Sequence, residues 1–225
     1  MGTLRLKISN RSGSVRVRAE GDAPLQITGA KESHAEDPST MRIKASSSTI
    51  EVRCPAHTNV SIGTASGAVE LTGVFGAVHV VTASGSVRID EAESTDVRTA
   101  SSSVKVRHCH GHCRVVTANG EIAVDNAGHV DLRSASGQVG VRHAASGDVR
   151  TASGAVSVGL VDFPADGRLR VDTISSSIDV RVPRGTHPHS RLLSMTGHVR
   201  CDCPDGAHGS IELRSVSGSI RLSDG

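Results

Sequence analysis

Thr151-Ala152-Ser153-Gly154-Ala155-Val156-Ser157-Val158 is the unit from which most of this chain is built. The same eight positions recur without gaps as TASGAVEL from Thr64, TASGSVRI from Thr82, TASSSVKV from Thr99, TANGEIAV from Thr117 and SASGQVGV from Ser134. Looser copies begin at Thr173 (TISSSIDV), Ser194 (SMTGHVRC) and Ser215 (SVSGSIRL), while Arg11 (RSGSVRV) and Lys44 (KASSSTIEV) open the series. A motif copied this often reports architecture before chemistry: it marks a stack of like units, none of which can bury an apolar face alone.

Within each copy, Val156 and Val158 alternate with Ser157, the period of a half-buried strand, and Ser153-Gly154 marks the bend before it. A second alternating segment precedes the Thr position and carries Val97, Leu132, Val149, Val171 or Leu213. Strands this short gain stability by stacking, about 4.8 Å apart, onto the equivalent strands of neighbouring copies. The expected fold is all-β: a single-chain parallel β-helix, or β-solenoid, in which each copy pairs with the copies before and after it in sequence. The fourth repeat position falls at Gly67, Gly85, Ser102, Gly120, Gly137, Gly154, Ser176, Gly197 and Gly218, so coils hold 17 or 18 residues up to Gly154 and 21 or 22 beyond it. One domain is expected over 1–225, with N-terminal coils over 1–43, regular coils over 44–160 and longer coils over 161–225.

Leu25 and Ile27 read as a short strand, and the polar residues 30–40 (AKESHAEDPST) as a surface loop. Stacking sets equal repeat positions side by side. The position after the second Val-type residue reads Thr72, Asp90, Arg107, Asp125 and Arg142, so alternating charges favour a single register. The Thr or Ser that heads each copy is expected to tie the corner by hydrogen bonds to the backbone, rather than to form a flat array of the ice-binding kind. The Ala that follows it, replaced by Ile174, Met195 and Val216 in late copies, is expected to face inward.

Composition narrows the functions available. Trp and Tyr are absent and Phe75 and Phe163 are the only aromatic residues, so the core must be aliphatic. A formal charge of +2, from 25 basic and 23 acidic residues in alternation, leaves no footprint for nucleic acid, and there are no stacking platforms. No run of about 18 apolar residues occurs, so no membrane-spanning segment is expected. Met1-Gly2-Thr3-Leu4-Arg5 lacks the pattern of an export signal, and five cysteines without framework spacing read as reduced thiols. Both point to a cytoplasmic protein, whereas a trimmed exported chain would be secreted or surface-bound.

The segment CPAHTNVSIGTASGAVELTGVFGAVHVVTASGSV, from Cys54 to Val87, resembles the bacterial putative-adhesin β-solenoid family, whose members carry S/T-A-S-G-x-V units, and Asn10-Arg11-Ser12-Gly13-Ser14-Val15 resembles its opening coil. The resemblance implies a right-handed, single-chain β-helix and brings no catalytic residues with it.

Against this regular background, His108-Cys109-His110-Gly111-His112-Cys113 places five potential metal donors where other copies have a simple turn. Imidazole and thiolate donors of this kind, on a loop, suit zinc or copper. Cys54 and Cys203 align instead with Val182, and Cys201 with Val52 and Val180, and all three are expected to be small core residues. Carboxylates are spread along outward positions, and neither a nucleophile elbow nor a phosphate loop is present. The expected function is a non-enzymatic, adhesin-like scaffold that binds another protein or itself, with no small-molecule substrate and no resident cofactor. The alternatives are a metal-binding or metal-sensing module at 108–113 and a carbohydrate-active enzyme on a β-helix.

Overall fold

A computed structural model describes residues 4–225. Met1 to Thr3, on which the expectation of no export signal partly rests, lie outside the described residues. Among the described residues there is no helix, and strands run from Arg5 to Asp224. No helix is therefore long and apolar enough to cross a membrane. The chain divides into two compact units, one ending at His110 and one running from Gly111 to Gly225.

In the N-terminal unit, alternation decides which side chains go inside: Val15 and Val17 are fully buried while Arg16 and Arg18 face out. Arg5–Ser12 pairs in parallel with both Thr40–Ala45 and Thr58–Ser66. Val15–Ala19 likewise lies between Ile50–Cys54 and the start of Val69–Asn119. The first coil is thus intercalated between the second and third, where the sequence suggests stacking in chain order. The chemistry permits it because Val15 meets Ile50 on one side and Val69 on the other, with the same pattern on each.

Residues 30–40 are not a loop. Glu32–Asp37 is a strand that runs antiparallel to Thr40–Ala45, and Gln26–Thr28 runs antiparallel to Ile50–Cys54. All six residues of Glu32–Asp37 are exposed, so no apolar alternation marks the strand in the sequence. The Lys7 Nζ donates to Glu36 Oε2 at 2.7 Å, and Arg42 pairs with the same carboxylate. These two antiparallel strands flank the coil 40–54, whose Ile43, Ile50, Val52 and Cys54 stay buried.

In the C-terminal unit, Ile122–Ser136, Val139–Ser153 and Val156–Leu160 stack in parallel, aligning Val124, Val141 and Val158. Chain order then breaks again. Arg168–Ser175 pairs with Ser210–Ser215, which pairs in turn with His189–Ser194; Ile178–Val182 pairs with Ile220–Asp224, which pairs in turn with Val199–Cys201. The last coil in sequence therefore fills the space between 168–182 and 189–201, and the coil 189–201 ends the stack. The expected charge ladder forms within each unit, with Arg107 Nη1 3.4 Å from Asp90 and Arg142 Nη1 3.5 Å from Asp125. Such exposed pairs contribute about 0–1 kcal/mol each and act mainly on register.

Candidate functional site

The run from His108 to Cys113 lies within the extended chain Val69–Asn119, not in a loop. Alternation then sorts its donors. Cys109 is buried in the N-terminal unit with His108 and His110 on the opposite, outward side, and Cys113 is buried in the C-terminal unit with His112 outward. Thiols and imidazoles diverge rather than converge. Among the described residues, no three His, Cys, Asp or Glu side chains are gathered as a metal ion requires. The outward imidazoles have other neighbours. His110 Nε2 lies 2.8 Å from Glu91 Oε1, and this contact holds the Glu91 carboxyl below its ordinary range. His112 stacks on His129 at 5.0 Å, and His129 Nδ1 lies 2.9 Å from Ser146 Oγ.

Cys54 and Cys203 are buried, as the alignment suggests, but Cys201 is exposed. It occupies a core column, beside the buried Leu222, yet its coil ends the stack. Burial and, after it, the neighbouring Cys201 push the Cys203 thiol up to about 11.

The repeat itself shapes the outer surface. Thr64, Thr82, Thr117, Ser134 and Thr151 turn inward, and each hydroxyl donates to the carbonyl two residues on, at 2.9 to 3.1 Å. Thr99 and Thr173 donate instead to the hydroxyls of Ser102 and Ser215. The column is a corner tie and not an exposed array. Because the Thr points in, the next residue must point out. The Ala column is therefore outward, contrary to the sequence expectation: Ala135 is exposed, Ala152 half-buried, and Ile174 is 58% and Met195 79% exposed. Register places Ala135, Ala152, Ile174, Val216 and Met195 on successive coils in that order, so an apolar ridge grows bulkier along the C-terminal unit.

Beside the ridge lies a shallow groove of about 500 Å³ walled by Arg133, Arg150 and Asp172, with Ala135, Ala152 and Ile174 along it. The arginines are not free to bind anions. Arg133 Nε is 3.2 Å from Asp131, Arg150 bridges Asp148 and Asp172 at 3.7 Å each, and Arg170 bridges Asp172 at 2.7 Å and Glu212 at 3.2 Å. The face therefore combines an exposed apolar line with internally neutralised charge. That suits a protein surface better than a nucleic acid or an anionic ligand.

A family model described as Toastrack DUF4097 matches residues 34–164. A crystal structure of a putative adhesin from Bacteroides fragilis is similar in fold, with a TM-score of 0.50 at 12% identity over 99% of this chain and 93% of that one. A putative cell adhesion protein from Clostridium sporogenes is matched over 99% of this chain and 93% of that one, at 9% identity and a TM-score of 0.26. No curated protein matches the sequence.

Proposed function

We propose that this chain, which belongs to the Toastrack DUF4097 family, is a non-enzymatic, adhesin-like scaffold: one right-handed β-solenoid that binds a partner protein along its outer ridge. The observation that carries the reading is the exposure of Ile174 and Met195 at positions where earlier copies carry Ala. Large apolar side chains held in line on a rigid parallel sheet are a surface feature that folding alone does not require. The outward carboxylates Asp131, Asp148, Asp172 and Glu212 are each paired with an arginine, in keeping with a role in fixing the sheet surface. A cytoplasmic setting belongs to the same proposal and accords with five cysteines that form no disulfide.

The test is a photo-crosslinking residue at Ala152, on the ridge, against the same residue at Ser157, an exposed position on the other strand of that coil. The scaffold reading expects one discrete protein adduct from the first site only, lost when Ile174→Lys is added while the melting temperature stays unchanged. Adducts of equal yield from both sites, or none from either, would remove the ridge as a binding surface.

A further inference from the structure

The coil 189–201 leaves its core open. Leu192, Val199 and Cys201 are in register with Leu213, Ile220 and Leu222. Val199 is 45% exposed where Ile220 is 1%, and Cys201 is exposed where Leu222 is fully buried. Leaving core-column side chains in water forgoes about 25 cal/mol per Å² of apolar surface, which is why stacked repeats need caps. The N-terminal unit meets this requirement with the antiparallel strands Gln26–Thr28 and Glu32–Asp37. Among the described residues, no such strand covers 189–201.

The backbone of this coil points the same way. Ile220 N–H donates to His198 O at 2.9 Å and Asp202 N–H to Leu222 O at 2.8 Å. In a parallel ladder the alternate residues, Val199 and Cys201, turn their N–H and C=O groups the other way, to the open edge. At the other strand of the coil, Asp205 Oδ1 already accepts the Ser190 N–H at 3.2 Å. The edge of Val199–Cys201 is the freer of the two.

We propose that coil 189–201 is a self-association surface on which a second copy of this chain docks end to end, Val199–Cys201 pairing antiparallel with its own counterpart. A surface that meets itself does so about a two-fold axis, and that axis makes the paired strands antiparallel. The charges fit this arrangement: Arg200 Nε donates to Asp202 of its own copy at 2.8 Å, and a register centred on Cys201 repeats that pair across the axis, setting Arg200 of each copy against Asp202 of the other. The apolar columns also match, because each copy offers the same open cross-section, and an antiparallel strand closes it as Gln26–Thr28 closes the coil 40–54. The inference rests on the scaffold reading for the idea that this molecule works through its surfaces, but it uses a surface distinct from the ridge.

The experiment is sedimentation velocity on the full chain under reducing conditions, over a concentration series. An interface of this small cross-section should dissociate in the range of about 10–100 µM. The sedimentation coefficient should rise to a dimer plateau, and Arg200→Asp should weaken the dimer about tenfold or more. The swap Arg200→Asp with Asp202→Arg should restore it. A short bis-maleimide should join two Cys201 thiols into a covalent dimer, lost in Cys201→Ser and kept in Ile174→Lys. A monomer throughout the series, a dimer indifferent to Arg200→Asp, or growth into open-ended oligomers would overturn the proposal. A monomer that still forms the ridge adduct would sink only the dimer, whereas a dimer without that adduct would sink only the ridge.

Discussion

Gly154→Ala tests the stacked corner most directly. Gly154 has φ +111°, outside even the left-handed region that Ala tolerates, and a Cβ there would fall against the backbone of Gly137 in the adjacent coil. That backbone lies at the bend between the paired strands Ile122–Ser136 and Val139–Ser153 and has no flexible side-chain end to move aside. Backbone strain of about 1–3 kcal/mol and a comparable overpacking cost act together, offset by about 0.4–1 kcal/mol from a stiffer unfolded chain, for a net loss of about 1–5 kcal/mol, with the middle of that range, about 3 kcal/mol, expected here. At about 2–4 °C per kcal/mol for a chain of this size, the melting temperature should fall by about 6–12 °C. Gly140→Ala is the matched control, because its Cβ would meet nothing nearer than Ile122 O at 3.9 Å and its φ is not positive. It should leave the melting temperature unchanged or slightly raised. Thermal unfolding followed by far-ultraviolet circular dichroism reads both variants. Equal melting temperatures for the two would refute the claim that the stacked glycine corners are sterically required.

Thr151→Val keeps the volume but removes the hydroxyl that donates to Ser153 O at 3.0 Å, so urea unfolding should show a loss of about 0.5–1.5 kcal/mol, and an unmoved midpoint would mean the tie is idle. Glu36 is held below its ordinary value of 4.5, first by the hydrogen bond from Lys7 and then by the charges of Arg42 and Lys7. A depressed carboxylate stabilises the fold above its unfolded pKa, and that contribution is lost as the pH falls through 4.5 toward the lower folded value. A carbon-detected titration of Glu36 should therefore show a midpoint below 4.5 that moves up in Lys7→Met. A midpoint insensitive to Lys7→Met would show that the antiparallel strand is not anchored in this way.

Much of the fold is legible in the alternation of single residues. Val156 and Val158 announce a strand, and the corner between them and Val149 follows from Ser153-Gly154. The Thr ties were readable too, because a hydroxyl at a repeated bend has a local reason to be there. The Ala column gives no sign of its facing for the same reason that it looks regular. Ala is compatible with either face, and only the inward hydrogen bond of its Thr neighbour determines its side. The run at His108 reads as a dense donor set in one dimension, yet in an extended chain adjacent donors at odd and even spacing separate onto two faces. Residues 30–40 carry no strand signal because a strand exposed on both faces needs no apolar pattern. The ridge was visible only as a substitution, Ala giving way to Ile174, Val216 and Met195.

Composition and period were enough to specify an all-β stack with an aliphatic interior, because each residue's facing depends on its immediate neighbours. The order of the coils lies beyond that local information. Val15 fits Ile50 and Val69 equally well, and Leu222 fits Val180 and Cys201, so like repeats are interchangeable partners. Which two a strand takes depends on what the whole stack buries and bonds. The packed molecule resolves this by drawing its first and last coils inside their stacks, which leaves 189–201 open at an end.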